Sequence, residues 1–419
     1  MDPPLPIDGV LPPDLAGTLV RIGPGATSRG ALHAIELRDG AAVSYLSGAS
    51  DADANVFWHA GSLLALAESG LPERFSRQLQ PETFDGGLTS PIASHAHRDP
   101  NSDGRVLFSV EAGEETPSPS LRVGEWDRGG ALVHFLEVGL ERASWHHDLG
   151  VTRSQLAFFE SPTALAYDLA DEAVAVPYRF TPGEPTMIAT VRRDGDGTDV
   201  RRHLVDPALV THMVGAFDRP DPASVVLYVV RYPVPEAGQP FDFDAPVVGP
   251  AGIGRSRIGG GLGTLERWDV GTDAVEQSVV DERHVEYVSI DPTLEGRAFR
   301  HAYGVEVAQG APGSGHDETS EVDALGLVQF DLGRDQVRRW SPGPYQEVSE
   351  PLFVRAADGT ADDEGWLLVI VDDHTRSASD LYVLDASSFG RRAPEAVIHL
   401  PASLPFLSHG TWVGAERYR

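Results

Sequence analysis

The chain has 419 residues, 41% hydrophobic and 23% charged, a composition that folds and a length that allows one large domain with a sizeable core. Its formal net charge is -30, from 63 acidic residues against 33 basic ones; every basic residue is arginine, and neither lysine nor cysteine occurs. This excludes Schiff-base and thiol nucleophiles, disulfides, iron–sulfur clusters and cysteine zinc sites, and so acidic a surface disfavours nucleic acid and electrostatic membrane anchoring.

The opening MDPPLPIDGVLPP has neither a basic nor an apolar leader segment. No stretch approaches the roughly 18 apolar residues of a membrane span, so the expected location is the cytoplasm, with at most transient membrane contact. In chain order, the segments LHAIEL, LLALAE, RVLFSV, QLAFFE, MIATVRR, SVVLYVVRY, LGLVQFDL, GWLLVIVDD and DLYVLDA read as strands. Glycine and proline punctuate them, and segments with a helical period are hard to find. The pattern predicts an all-β fold. Many short strands over this length fit a β-propeller better than a sandwich, as one closed domain over 1–419, although no WD40- or kelch-like period is present.

Two stretches interrupt the strand texture. GPAGIGRSRIGGGLG (249–263) lacks the GxGxxG spacing of a dinucleotide site and reads as a loop. GAPGSGHDETSEVD (310–323) offers Asp317, Glu318, Glu321 and Asp323 to calcium, but without EF-hand spacing it too reads as a loop.

Four histidines stand in distinctive settings: His95 in SHAHRDP, His147 in WHHDLGVT, His212 in THMVGAFD and His409 in LSHGTWV. Intervals of 52, 65 and 197 residues are too wide for one helix or hairpin, so only a large closed fold could assemble them. They suggest a metal on a central axis. Without cysteine, any metal must sit on His, Asp or Glu. His33, His59, His134, His203, His284, His301, His316, His374 and His399 read as ordinary surface or core residues. No GxSxG elbow, HExxH motif or catalytic dyad is evident.

These motifs, in this order, resemble the carotenoid cleavage oxygenases, which include a retinoid isomerohydrolase and bacterial stilbene-cleaving dioxygenases. LPPDLAGTLVRIGPG is similar to the family's opening segment. SHAHRDP resembles HPKxDP, WHHDLGVT resembles MHDFAIT, THMVGAFD resembles HxxNAxE, and LPFLSHGTWV resembles PFGFHGTWV. LLALAESGLP, VEYVSIDPTLEGRAFRHAYG, SEPLFV, DDEGWLLVIVDD and DLYVLDA also match family segments in order, so the resemblance spans nearly the whole chain.

The resemblance implies a seven-bladed propeller with one Fe(II) per chain, held by His95, His147, His212 and His409, with His97 and His146 off the matched positions. Glu68, Glu286 and Glu350 match glutamates that accept ring N–H groups and fix each imidazole's orientation. Four neutral imidazoles suit Fe(II) and leave coordination room for O2. The implied chemistry is scission of a carbon–carbon double bond of a carotenoid or apocarotenoid into two carbonyl products. Phe57, Trp58, Trp145, Phe217, Phe406 and Leu407 are candidates for an apolar substrate tunnel. The stilbene-cleaving branch carries a lysine where this chain has Ala67, which disfavours a 4-hydroxystilbene. Other arylalkenes remain open, as do an isomerising reaction and a non-catalytic propeller binding a small apolar ligand.

Some positions depart from the family pattern. The N-terminal part is abbreviated, Gly215 replaces an asparagine, Ser408 replaces a phenylalanine, and Ala54 stands for a threonine. Each is expected to enlarge or polarise the surroundings of the metal.

Overall fold

The computed structural model describes residues 3–83, 91–111, 118–165, 178–181, 183–220, 223–232, 263–309, 322–405 and 407–415. Both interrupting loops fall almost wholly outside them, including Asp317, Glu318 and Glu321. Among the described residues the structure is antiparallel sheet, broken only by a short 3-10 turn at Pro292–Leu294. No helix in them is long and apolar enough to cross a membrane.

All nine apolar runs named above are strands. Their long hydrophobic stretches have a simple cause, since both faces are covered. Ser62–Leu66 is buried at every position, and Gly365–Asp373 at all but two. The strands beyond them alternate, as in Leu132–Gly139, where Leu136 and Val138 are buried between exposed neighbours.

Strand pairing among the described residues gives seven units of four or more strands, beside two short two-stranded ladders, Ser69–Gly70 with Ile92–Ala93 and Thr163–Leu165 with Tyr178–Phe180. The first pairs Gly410–Gly414, Gly17–Pro24, Gly30–Arg38 and Ala41–Ser50; the second pairs Asn55–His59, Ser62–Leu66, Glu73–Phe75 and Pro81–Glu82. The third is built from Ala96–Arg98, Arg105–Glu111, Ser120–Trp126 and Leu132–Gly139, and the fourth from Gly150–Val151, Gln155–Glu160, Thr186–Arg192 and Val200–Val205. Leu209–Pro220, Ala223–Tyr232, Thr264–Val270 and the start of Val275–Ser289 make the fifth. The end of that long strand begins the sixth, followed by His301–Gln309, Val322–Asp331 and Gln336–Trp340. In the seventh, the innermost strand is broken into Gln346–Val348 and Leu352–Arg355, which both pair with Gly365–Asp373 ahead of Ala378–Asp385 and Ala396–His399.

Packing turns this series into a ring. Val20, Ile22 and Leu32 of the first unit share a core with Val56, Trp58 and Leu63 of the second. Five further cores lie between successive units from the second to the seventh. The last joins Leu368, Ile370 and Leu381 of the seventh unit to Leu19, Ile35 and Leu37 of the first. Two strand exchanges stitch that seam. Gly410–Gly414 pairs with the first unit, while Ile7–Gly9 adds an outer strand to the seventh. This is the arrangement of a β-propeller.

Candidate metal centre

Each unit contributes one residue to a single site. His409, His95, His147 and His212 come from the first, third, fourth and fifth units, and Glu68, Glu286 and Glu350 from the second, sixth and seventh. Apart from His147, which lies in the coil ahead of Gly150–Val151, they stand where a strand ladder starts, stops or slips, which frees the side chain to turn inward. His95 and His409 immediately precede innermost strands, and His212 lies within the register shift between Val210 and Met213. Glu286 opens the shift at Glu286/Ser289, and Glu350 occupies the break in the seventh unit's inner strand.

The Nε2 atoms of His95 and His147 are 3.1 Å apart, and those of His147 and His212 are 3.2 Å apart. His95, His212 and His409 offer donor nitrogens within 4.8 Å of one another. The His409 ring centroid lies 4.9 Å from that of His95 and 5.3 Å from that of His212. On the far side of three rings stand carboxylates: His147 Nδ1 is 2.8 Å from Glu68 Oε1, His212 Nδ1 is 2.7 Å from Glu286 Oε2, and His409 Nδ1 is 3.0 Å from Glu350 Oε1. An Nδ1–H held by a carboxylate leaves an Nε2 lone pair pointing into the centre. Lone pairs about 3 Å apart repel unless a cation lies between them, and neutral imidazoles suit a first-row divalent metal.

Electrostatics divides the rings, since burial lowers the His212 pKa but the Glu286 carboxylate outweighs that cost and raises it to about 9. Burial, reinforced by its histidine neighbours, pushes the His95 pKa well below its ordinary value. Burial raises Glu286, but the His212 ring and hydrogen bonds from Tyr232 and the Tyr287 N–H outweigh it and hold the carboxyl at about 2. Three carboxylates around a cluster of imidazoles thus favour a dication.

The carboxylates are themselves braced. Trp145 Nε1 and Ser94 Oγ each donate to Glu68 at 3.0 Å. Arg21, 1% exposed, donates to Glu350 at 3.2 Å and to the carbonyls of Leu407 and Ser408 at 2.8 and 3.3 Å.

A cavity of about 610 Å³ opens over His95, His212 and His409, with Phe57, Trp58 and Tyr287 in its wall. Of the tunnel candidates, Phe57 and Trp58 line this cavity. Trp145 is not a lining residue, because its indole is committed to Glu68 and its ring to the core beside His147. Phe217 packs on Phe299 beside the same core, away from the cavity wall. Leu407 is fully buried between the seventh and first units. Phe406 lies outside the described residues. His146 turns away from the centre, donating from Nδ1 to the Ser144 carbonyl.

The sequence profile of the retinal pigment epithelial membrane protein family matches residues 34–414. The chain belongs to this family, that of the carotenoid cleavage oxygenases. Among its relatives, the apocarotenoid-15,15'-oxygenase of Synechocystis is 26% identical over 86% of this chain and 72% of its own length. The isoeugenol monooxygenase of Pseudomonas nitroreducens is 26% identical over 86% and 75%. The cobalt-substituted Synechocystis apocarotenoid oxygenase superposes with a TM-score of 0.81 at 22% identity, and Pseudomonas brassicacearum lignostilbene dioxygenase with 0.83 at 22%; each covers 98% of this chain and 95% of the other. These likenesses give the shared fold, and the family membership makes the chain an oxygenase.

Within this carotenoid cleavage oxygenase, the departures at Gly215 and Ser408 are compensated locally. A Cβ on Gly215 would meet Phe299 Cε1 at 2.5 Å, so Phe299 fills the room that the missing side chain leaves. Ser408 Oγ donates to the Ala54 carbonyl at 3.2 Å, which ties two substituted positions together. The expected enlargement at Gly215 is thus largely taken up.

Sequence reasoning missed a second polar cluster beside the centre. Asp148 accepts from His97 Nε2 and from the Leu149 and Met213 N–H groups, each at 2.7 Å, and lies 3.9 Å from His95 Nδ1. His97 Nδ1 also meets Glu295 Oε1 at 2.6 Å. Burial alone would lower the His97 pKa, but Asp148 and Glu295 raise it to about 10. Arg21 left a readable signal, a lone charge inside the apolar run LVRI; Glu295 left none.

Proposed function

We propose that this chain is an Fe(II)-dependent dioxygenase that cleaves a carbon–carbon double bond of a conjugated, apocarotenoid-like substrate into two carbonyl products. The observation that carries this reading is the convergence of four imidazoles, three of them backed by carboxylates, with His95, His212 and His409 lining a cavity. His95, His147, His212 and His409 would hold the iron, which supplies reactivity toward dioxygen. Glu68, Glu286 and Glu350 keep the ring protons on the outer nitrogens, and Phe57, Trp58 and Tyr287 offer surfaces against which a polyene can align.

One observation favours a shorter, more polar substrate. Arg98, Arg105, Arg355 and Glu295 share the cavity wall with those aromatic rings, an arrangement suited to an arylalkene with oxygen substituents. The isoeugenol monooxygenase relative fits that second reading.

Protein purified with Fe(II), and its His147→Ala and His409→Ala variants, should be assayed for iron and then given an apocarotenal or isoeugenol under O2. About one iron per chain, lost in both variants, together with two carbonyl fragments by mass spectrometry, is the expected result. Which substrate is cleaved chooses between the two readings. A rearranged product of unchanged mass would replace cleavage by isomerisation, and a chain that takes up no iron would sink the oxygenase mechanism proposed here.

A further inference from the structure

His301, which reads as an ordinary residue in the sequence, opens the second strand of the sixth unit, opposite Asp331 in the hairpin register. Its side chain is 5% exposed. Nδ1 donates to Asp362 Oδ1 at 2.8 Å, and Asp362 Oδ2 accepts the backbone N–H groups of Arg300 and His301. The ring is therefore locked, with its Nε2 lone pair directed outward. Nε2 lies 3.7 Å from Asp331 Oδ2 and 3.8 Å from Asp363 Oδ2. Neither distance is a hydrogen bond.

His97 supplies an internal comparison. It too lies between carboxylates, and both its nitrogens are drawn in to 2.6 and 2.7 Å. Among the described residues, His301 is drawn in at Nδ1 and meets its other two carboxylates at longer range from Nε2.

We propose that His301 Nε2, Asp331 and Asp363 form a second divalent-cation site, of the zinc type, that pins the sixth unit to the seventh. Two donors about 2.1 Å from one ion stand roughly 3.4–3.8 Å apart at tetrahedral or slightly wider angles, which matches the separations at Nε2. Asp362 plays the part of the carboxylate that fixes a ligating imidazole. Arg300 grips both oxygens of Asp331 at 2.6 Å, which makes that ligand rigid, whereas Asp363 has no ion-pair partner but His301 among the described residues. A mixed imidazole and carboxylate set suits Zn2+ better than Ca2+ or Mg2+, which prefer oxygen alone. Asp362 and Asp363 lie just before the seventh unit's Gly365–Asp373 strand, so the ion would bridge two units. The site is independent of the iron reading.

The test compares full-length native protein with Asp363→Asn and His301→Gln after incubation with Zn2+ and removal of free metal. Elemental analysis is expected to find one zinc fewer in each variant than in the native chain. Zn2+ should raise the native Tm by several degrees and leave Asp363→Asn unmoved. Comparing the difference between proteins cancels any zinc held by the four histidines. Equal zinc contents, or a Tm response in Asp363→Asn equal to the native one, would overturn the site and leave an ion-pair cluster. If His301→Gln does not fold, Asp363→Asn decides alone, since its side chain is 24% exposed and tolerates the change more readily.

Discussion

The centre is built so that a carboxylate beyond each of three rings decides what the ring can do. Glu350→Gln keeps the shape but replaces the anion facing His409 and Arg21 by a neutral amide. Metal affinity or turnover is expected to fall by about 10–100-fold, read by metal retention against a chelator and by kcat. Unchanged values in both would remove Glu350 from the proposed centre. A second prediction concerns His33, 7% exposed, whose Nδ1 lies 2.8 Å from the Tyr45 hydroxyl. Burial lowers its pKa from 6.5 to about 4, so the folded chain keeps it neutral while the unfolded chain protonates it. The stability it contributes is complete above pH 6.5 and is lost as pH falls toward 4, by up to about 3 kcal/mol at about 1.4 kcal/mol per pH unit. Urea unfolding at pH 7 and pH 5 should show a smaller drop for His33→Gln than for the native chain, and equal drops would contradict it.

At the scale of elements, the close fit of Phe299 over Gly215 gives a direct test of compensation. Gly215→Asn restores the residue type of the family motif but drives it into Phe299, and overpacking of this kind costs about 1–3 kcal/mol. Gly215→Asn with Phe299→Ala should recover part of that loss in thermal melts; additive losses would mean that the two side chains do not compete. Elements also explain what the sequence let a reader see. The runs LLALAE and GWLLVIVDD were legible because strands covered on both faces leave no polar alternation. Outer strands such as Leu132–Gly139, half exposed, and inner strands as short as Gly150–Val151 carry little pattern. The four histidines and three glutamates were legible through their motifs. The link from His97 to Glu295 was not, because it joins residues 198 apart whose local sequences show nothing of each other. Trp145 and Leu407 were misplaced for a related reason, since an aromatic or aliphatic residue beside a ligand can face the cavity or the core and composition does not say which.

For the whole molecule, a formal charge of -30 without a single lysine sets self-repulsion against the ring. Salt screens this repulsion and also weakens surface ion pairs, but such pairs contribute only about 0–1 kcal/mol each, and excess negative charge outnumbers them. Tm is therefore expected to rise as NaCl increases from low levels to about 0.5 M, beyond the roughly 10 Å screening length found at 0.1 M. A flat or falling Tm would show that ion pairs dominate.

His409 rides directly ahead of the strand that seals the ring, and this places the proposed centre in time as well as in space. A growing polypeptide presents His95, His147 and His212 first, and another 197 residues separate His212 from His409. At synthesis rates of about 5–20 residues per second, that gap lasts roughly 10–40 s. Throughout it three imidazoles wait in an unsealed structure. The full set of four comes together with the strand that shuts the ring, so a nascent chain holds no complete set of these histidines while its interior is still open to the ribosome's surroundings.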